Sequence, residues 1–156
     1  MQHQTKVVRL IQQIIEFSST GLEFLIIPIK DVDELSKVTT NANSAYKLLT
    51  AYDCDAMYLF TPLDVQNNYC VRMFWISGGN LIEDTSTGSA AGSFTMYLHK
   101  NKSEDNPVGI QLEISQGTFL NRPSVIYTSI IERDDGQIVP RVGGDAIKLA
   151  EGKLFA

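Results

Sequence analysis

The chain has 156 residues, 44% of them hydrophobic and 20% charged, with a formal charge of −5. That is the composition of a single globular domain, 1–156, long enough to bury a core. The acidic balance, without any Lys/Arg cluster, argues against nucleic acid and anionic membranes as partners.

No apolar run approaches the ~20 residues of a membrane-spanning helix. The N-terminus lacks the apolar stretch and small-residue cleavage site of a signal peptide. Cys54 and Cys70 match no zinc or CxxC spacing, so a cytoplasmic protein with reduced thiols is expected.

In chain order, 6–16 reads as a short helix running into a strand, and "SSTG" (18–21) as a turn. "LEFLIIPIK" (22–30) is a buried strand by its β-branched and aromatic content. "DVDELSKV" (31–38) predicts a short helix capped by Asp31 or Asp33. A second helix over 43–52 places Ala45, Leu48, Leu49 and Tyr52 on one face. Strands follow at 56–63 and 68–76. In the latter, Cys70, Arg72 and Phe74 point one way, and Tyr69, Val71, Met73 and Trp75 the other. "SGGN" (77–80) is a loop. After a helix over 88–100, four more strands are expected at 108–116, 123–132, 137–142 and 145–150. "RDDG" closes a hairpin between the middle two, with Gly136 at positive φ. The pattern is α+β; the regular βα alternation of a doubly wound sheet is absent.

The informative stretch is "IEDTSTGSAAGSFTMYLHKN" (82–101). From Gly88 the helix carries no charge until its last position, as expected for a helix buried on most sides. Its first turn offers N–H groups without intrahelical partners and the positive end of the helix dipole. Ser86 or Thr87 can cap it, and Gly88 lets a ligand approach the backbone. Together these features suit a carboxylate or phosphate; the plain alternative is a well-capped buried helix. Glu83 and Asp84 face opposite sides on extended backbone, so one of them can line the same pocket as the helix N-terminus. A carboxylate there is placed for general acid/base chemistry.

Other chemistries fail on spacing. No Lys or Arg lies between Gly88 and His99, which excludes a P-loop. Ser89 lacks the flanking glycines of a nucleophile elbow. His3 and His99 have no metal-ligand spacing, His99 suiting a helix C-terminus. Cys70 suits a core position on an alternating strand. Arg72 and Arg122 are candidates for pairing with an acidic ligand group, though Arg122, before Pro123, is read first as tying down a loop.

The stretch 72–98, "RMFWISGGNLIEDTSTGSAAGSFTMYL", resembles the E-D-P-x-T-G-S-A signature of the phenazine-biosynthesis PhzF-like family. "SSTGLEFLIIPIK" (18–30), "SQGTFLNRPSVI" (115–126) and "RVGGDAIKLAEGKL" (141–154) resemble three further motifs of that family, in the family's order. All four belong to the family's second half.

The resemblance implies one half of a diaminopimelate-epimerase-like fold: a curved, barrel-like mixed sheet wrapped around a central helix at about 88–100. It implies cofactor-independent isomerisation of a small carboxylate-containing metabolite by proton transfer. Asp84 falls at the family's acid position, and the backbone of Thr87, Gly88 and Ser89 at its substrate cradle. Thr85 stands where the family has Pro. The family's acid/base Glu lies in its first half, for which this chain shows no motif. The expected partner is therefore a complementary N-terminal-half polypeptide, or a second copy in a homodimer that imitates the two-half fold. The alternative is a non-catalytic remnant that keeps the fold and binds a small anion.

Overall fold

The computed structural model describes residues 16–19, 21–39, 41–101 and 108–153, the first four by backbone alone. The helix-to-strand run expected at 6–16 lies outside the described residues except for Glu16, which opens β1.

The elements are β1 (Glu16–Ser19), β2 (Glu23–Pro28), α1 (Val32–Lys37), α2 (Ala42–Ala51), β3 (Ala56–Pro62), β4 (Asn68–Ser77), β5 (Asn80–Asp84), α3 (Gly88–Asn101), β6 (Gln111–Gln116), β7 (Ser124–Glu132) and β8 (Ile138–Gly143). A 3₁₀ turn, Thr118–Leu120, sits between β6 and β7.

The strands form one mixed sheet in the order β1-β2-β3-β4-β6-β7-β8, with β5 paired to β4 off this path. β2–β3 and β4–β6 are parallel; the other pairs are antiparallel. Each parallel pair needs a helical crossover: α1 and α2 supply the first, α3 the second. α3 lies against β1 and β2 at one end of the sheet and against β7 and β8 at the other. A sheet whose two ends meet the same helix is curled around it, as the resemblance implied.

Two cores follow from that curl. Inside, Phe94 packs its ring against Phe60 at 4.7 Å, Tyr69 at 5.1 Å and Tyr58 at 5.6 Å between centroids. Ala90, Ala91 and Leu98 fill in around it. Eight residues of α3 are buried, which explains the absence of charge before its last turn: a Lys or Glu there would lose its hydration without a partner. The Thr95 and Thr128 hydroxyls hydrogen-bond at 2.7 Å and couple the helix to β7. Outside, Leu35, Ala45 and Leu49 of α1 and α2 cover Leu25, Met57, Leu59, Cys70 and Phe74. β4 therefore alternates as expected, Val71 and Met73 facing α3, Cys70 and Phe74 facing the outer helices.

Asp31 is the cap of α1: its carboxylate accepts the Glu34 N–H at 2.8 Å. Asn41 caps α2. Gly136, at φ 79°, makes the β7–β8 turn.

Four expectations need correction. The segment 77–80 is a tight hairpin with Gly78 and Gly79 both at positive φ, and it leads into β5. The short run Asn80–Asp84 ends in two acids and gave no strand signal. Ser18 and Ser19 belong to β1 rather than to a turn. On α2 only Ala45 and Leu49 are buried, while Leu48 and Tyr52 are exposed, because the sheet meets a narrow stripe of that helix. Residues 145–150 form no strand; Ile147 and Leu149 are 84% and 92% exposed.

Candidate active site at the fork of the sheet

β4 carries two partners along one edge. Residues 68–71 pair with β6 in parallel, and residues 73–77 pair with β5 in antiparallel register. Between them, at Arg72, the sheet splits. β5 ends at Asp84 and β6 at Gln116, so both strand ends reach the fork. The chain passes from β5 through residues 85–87 into the N-terminus of α3 at this point.

The register decides which acid faces the helix. Asp84 lies opposite Met73 and Ile82 opposite Trp75, on the inner face; Glu83 lies opposite Phe74, on the outer face. Glu83 is bound there by Arg72 through two parallel bonds, Nε to Oε1 at 2.8 Å and Nη2 to Oε2 at 2.7 Å. Arg72 also donates to the Leu35 and Val38 carbonyls at 3.0 and 2.8 Å and stacks over Phe74 and Phe119. Its donors thus tie the C-terminal end of α1 to the fork.

Asp84 is held differently. Oδ1 accepts the Thr85 N–H at 2.7 Å and the Ser86 N–H at 3.5 Å, and Oδ2 accepts the Thr87 hydroxyl at 2.7 Å. The carboxylate is oriented by its own loop at the mouth of the helix. Gln116 fixes that loop from β6. Its Oε1 accepts the Thr87 N–H at 3.1 Å, and its Nε2 donates to the Asp84 carbonyl at 2.9 Å and to the Thr87 hydroxyl at 3.0 Å. Gln116 is fully buried, and both ends of its amide are satisfied, as a buried polar side chain requires.

The next residue, Gly117, has φ 76°. A Cβ there would overlap the Arg122 carbonyl and come within 2.8 Å of the Thr85 carbonyl. Ser124 completes the clasp, donating to the Thr85 carbonyl at 2.8 Å. The Q-G and R-P-S segments of the sequence therefore act together to hold residues 84–87. Sequence reading saw the segment but gave Gln116, Gly117 and Ser124 no role; a buried Gln at a strand end next to Gly was the available signal.

The expected cradle residues come together here. Thr87 is buried and its hydroxyl bonds to Asp84 and Gln116; its N–H is taken by Gln116. Gly88 and Ser89 are exposed in the first turn of α3. A cavity of about 620 Å³ opens beside them. Phe24, Met73, Trp75, Ile82, Asp84 and Ser89 are among its walls. Its rim carries three exposed apolar side chains, Leu22, Trp75 and Ile82 at 52%, 40% and 39%, beside the exposed Asp55. Asp84 at the helix N-terminus and an apolar wall, with Asp55 and the Arg72-paired Glu83 also on the lining, make a site for a small molecule that carries both an anionic group and a hydrocarbon part.

Arg122 lies outside this site. Its backbone secures the Gly117 turn, its N–H donating to the Gly117 carbonyl at 3.1 Å, while the side chain is exposed. Cys70 is a core residue, as expected, and burial pushes its thiol up. Cys54 is pushed up by burial, then by Glu23, Asp55 and Asp53. Among the described residues, no three His, Cys, Asp or Glu gather to hold a metal. Nor is any helix long and apolar enough to cross a membrane.

Comparison with known proteins agrees with this architecture. A family model described as phenazine biosynthesis-like protein matches residues 2–152. An uncharacterised isomerase of Mesorhizobium japonicum is 30% identical over 149 residues, covering 90% of this chain and 48% of its own. A trans-2,3-dihydro-3-hydroxyanthranilate isomerase of Pseudomonas aeruginosa is 34% identical over 84 residues, 54% of this chain and 29% of its own. A Bacillus anthracis phenazine biosynthesis protein of the PhzF family superposes with a TM-score of 0.64 at 19% identity, over 83% of this chain and 47% of the other. The chain spans about half the length of the curated relatives that it matches over 90% of its own residues.

Proposed function

This chain belongs to the PhzC-PhzF, phenazine biosynthesis-like family, and on that premise we propose that it is one half of a cofactor-independent isomerase. It would move a proton on a small carboxylate-bearing metabolite. The substrate carboxylate sits at the first turn of α3, at the backbone of Gly88 and Ser89. Asp84 gives or takes the proton, and the apolar wall of the cavity holds the hydrocarbon part. The relatives' names support the reaction class: isomerases stand among them.

One observation carries the reading. Of the two adjacent acids, Glu83 is bound to Arg72, and Asp84 alone is turned by register to the inner face and clasped at the helix N-terminus. A structural cap would need no cavity of about 620 Å³ beside it. The second group of the proton transfer comes from the half of the family fold that this chain does not contain, or from a second copy.

The test is solvent exchange. The chain, completed by that half, is incubated with small unsaturated carboxylates in deuterium oxide, and label is followed by mass spectrometry. Asp84→Asn lowers uptake by at least ~100-fold, the scale of a general acid/base contribution. Equal uptake in Asp84→Asn refutes the role of Asp84.

A second reading has an observation of its own. The Thr87 N–H, one of three expected cradle amides, already donates to Gln116. This favours a chain that keeps the fold and binds a small anion without chemistry. Absence of exchange in the completed wild type, with anion binding retained, would select it.

A further inference from the structure

Gln116 ends β6 and is paired on both sides, with Val71 of β4 and Ser124 of β7, so its backbone is held from two directions. Its side chain is fully buried, and the two backbone groups it meets are of opposite kind. The Thr87 N–H is a donor, 3.1 Å from Oε1; the Asp84 carbonyl is an acceptor, 2.9 Å from Nε2. Turning the amide over would set donor against donor and acceptor against acceptor, so its orientation is fixed. The other Nε2 hydrogen goes to Thr87 Oγ1 at 3.0 Å. A hydroxyl that accepts there still has its own hydrogen to place, and its other neighbour is Asp84 Oδ2 at 2.7 Å. The polarity of the backbone thus runs through Gln116 into Thr87 and ends on Asp84. The Thr87 hydroxyl is committed as a donor to that carboxylate.

We propose that Thr87 and Gln116 are positioning residues for the proton transfer at Asp84. The bond to Gln116 removes the Thr87 N–H from the substrate cradle, and the same side chain turns the Thr87 hydroxyl onto Asp84. Oδ1 is held by the Thr85 and Ser86 N–H groups and Oδ2 by Thr87, which fixes the carboxylate in one orientation on the cavity wall. Only an amide serves at position 116: Glu would keep the acceptor and lose the donor, and Leu would lose both. This role rests on the proton-transfer reading above.

The test follows deuterium uptake by the completed chain with crotonate, sorbate and cyclohexenecarboxylate, taking the fastest of them as probe. Thr87→Val is expected to lower uptake at saturating probe at least ~10-fold with the half-saturating concentration within about twofold, and Thr87→Ser to restore the rate to within about threefold. A half-saturating concentration that rises while the rate holds returns Thr87 to the cradle and overturns the positioning role. Where Thr87→Val fails to fold, Gln116→Glu carries the test. Its deficit against the wild type should narrow as pH falls and the introduced carboxyl takes up a proton; a deficit flat with pH marks a structural role only and sinks the proposal. In the free chain, the Asp84 carboxyl carbon is expected to shift in Thr87→Val and return in Thr87→Ser. An Asp84 signal indifferent to both refutes the hydrogen-bond chain and leaves the isomerase reading standing. No uptake from any of the three acids in the completed wild type defeats the isomerase reading before a substitution is made, and the positioning role with it.

Discussion

At the scale of single residues, the fork of the sheet is held by two polar anchors that behave differently when removed. Arg72 and Glu83 are each 11% exposed in their side chains, so deleting one leaves a desolvated charge. Arg72→Met is expected to cost about 3–5 kcal/mol, while Arg72→Met with Glu83→Leu recovers most of it, because no unpaired charge remains. Urea denaturation of the two single variants and the double variant measures this coupling; additive losses would show that the pair is not a unit. Gln116 is the neutral counterpart. Gln116→Leu strips partners from the Asp84 carbonyl and from both the N–H and hydroxyl of Thr87. The expected loss is about 3 kcal/mol, from several groups left wanting at ~1–3 kcal/mol each. Its effect on proton exchange should exceed that of Arg72→Met in the folded state, since Gln116 touches the Asp84 loop and Arg72 acts on the opposite face. The two cysteines give a simpler contrast. Burial favours the neutral thiol at both, so alkylation at neutral pH is expected to be slow, with Cys70 reacting only on unfolding. Mass spectrometry of iodoacetamide-treated protein reads both.

At the scale of elements, what was legible in the sequence was whatever a periodicity or a cap decides locally. α3 was read almost to its bounds because a run of twelve helical positions without charge before Lys100 has one physical home, inside the curl. The alternation of β4 was read because its two faces pack two different cores. β5 escaped because five residues ending in Glu83 and Asp84 carry no strand signal of their own; its existence depends on pairing with β4 across the Gly78–Gly79 turn. The fork itself could not be read, since it is a relation between three strands distant in sequence. For the same reason Asp84 and the Gly88–Ser89 turn were found as candidates, while Gln116, which reaches them from 29–32 residues away, was not. Gly117 tests this clasp as an element. Its φ of 76° and the carbonyls around it leave no place for a Cβ. Gly117→Ala is expected to destabilise by about 2 kcal/mol or more, from left-handed strain and the displaced 84–87 loop. A crystal structure or urea midpoint unchanged by the substitution would refute it. α1 offers a pH test with a definite sign. The Glu34 N–H holds the Asp31 carboxyl below its usual value of 3.8. Its contribution is therefore present above that value and lost as pH falls through the lower folded-state value. Carboxyl NMR should show Asp31 titrating below 3.8, with the Glu34 amide shifting in step.

At the scale of the whole molecule, the sheet curls around α3 and is open at its mouth, and the openness has a composition. Leu22, Trp75 and Ile82 stand around the cavity with Asp84 behind them. Three exposed apolar side chains clustered at one mouth, with Asp55 beside them, suit a surface that another half covers. The chain carries one tryptophan, and it is Trp75, 40% exposed at that rim, so its fluorescence reports the covering directly. Closure by the other half of the family fold is expected to shift its emission to the blue and to lower its quenching by iodide several-fold. A small carboxylate alone, which reaches Asp84 and the first turn of α3 without excluding water from the rim, should leave quenching nearly unchanged. If closure comes instead from a second copy, the same shift appears in the chain alone and grows with concentration, and light scattering rises with it. Emission that stays red and fully quenchable in a proven complex would place the partner elsewhere, and with it the second proton-transferring group, because a site at Asp84 that stays wet cannot hold its carboxylate and its hydrocarbon ligand apart from bulk solvent.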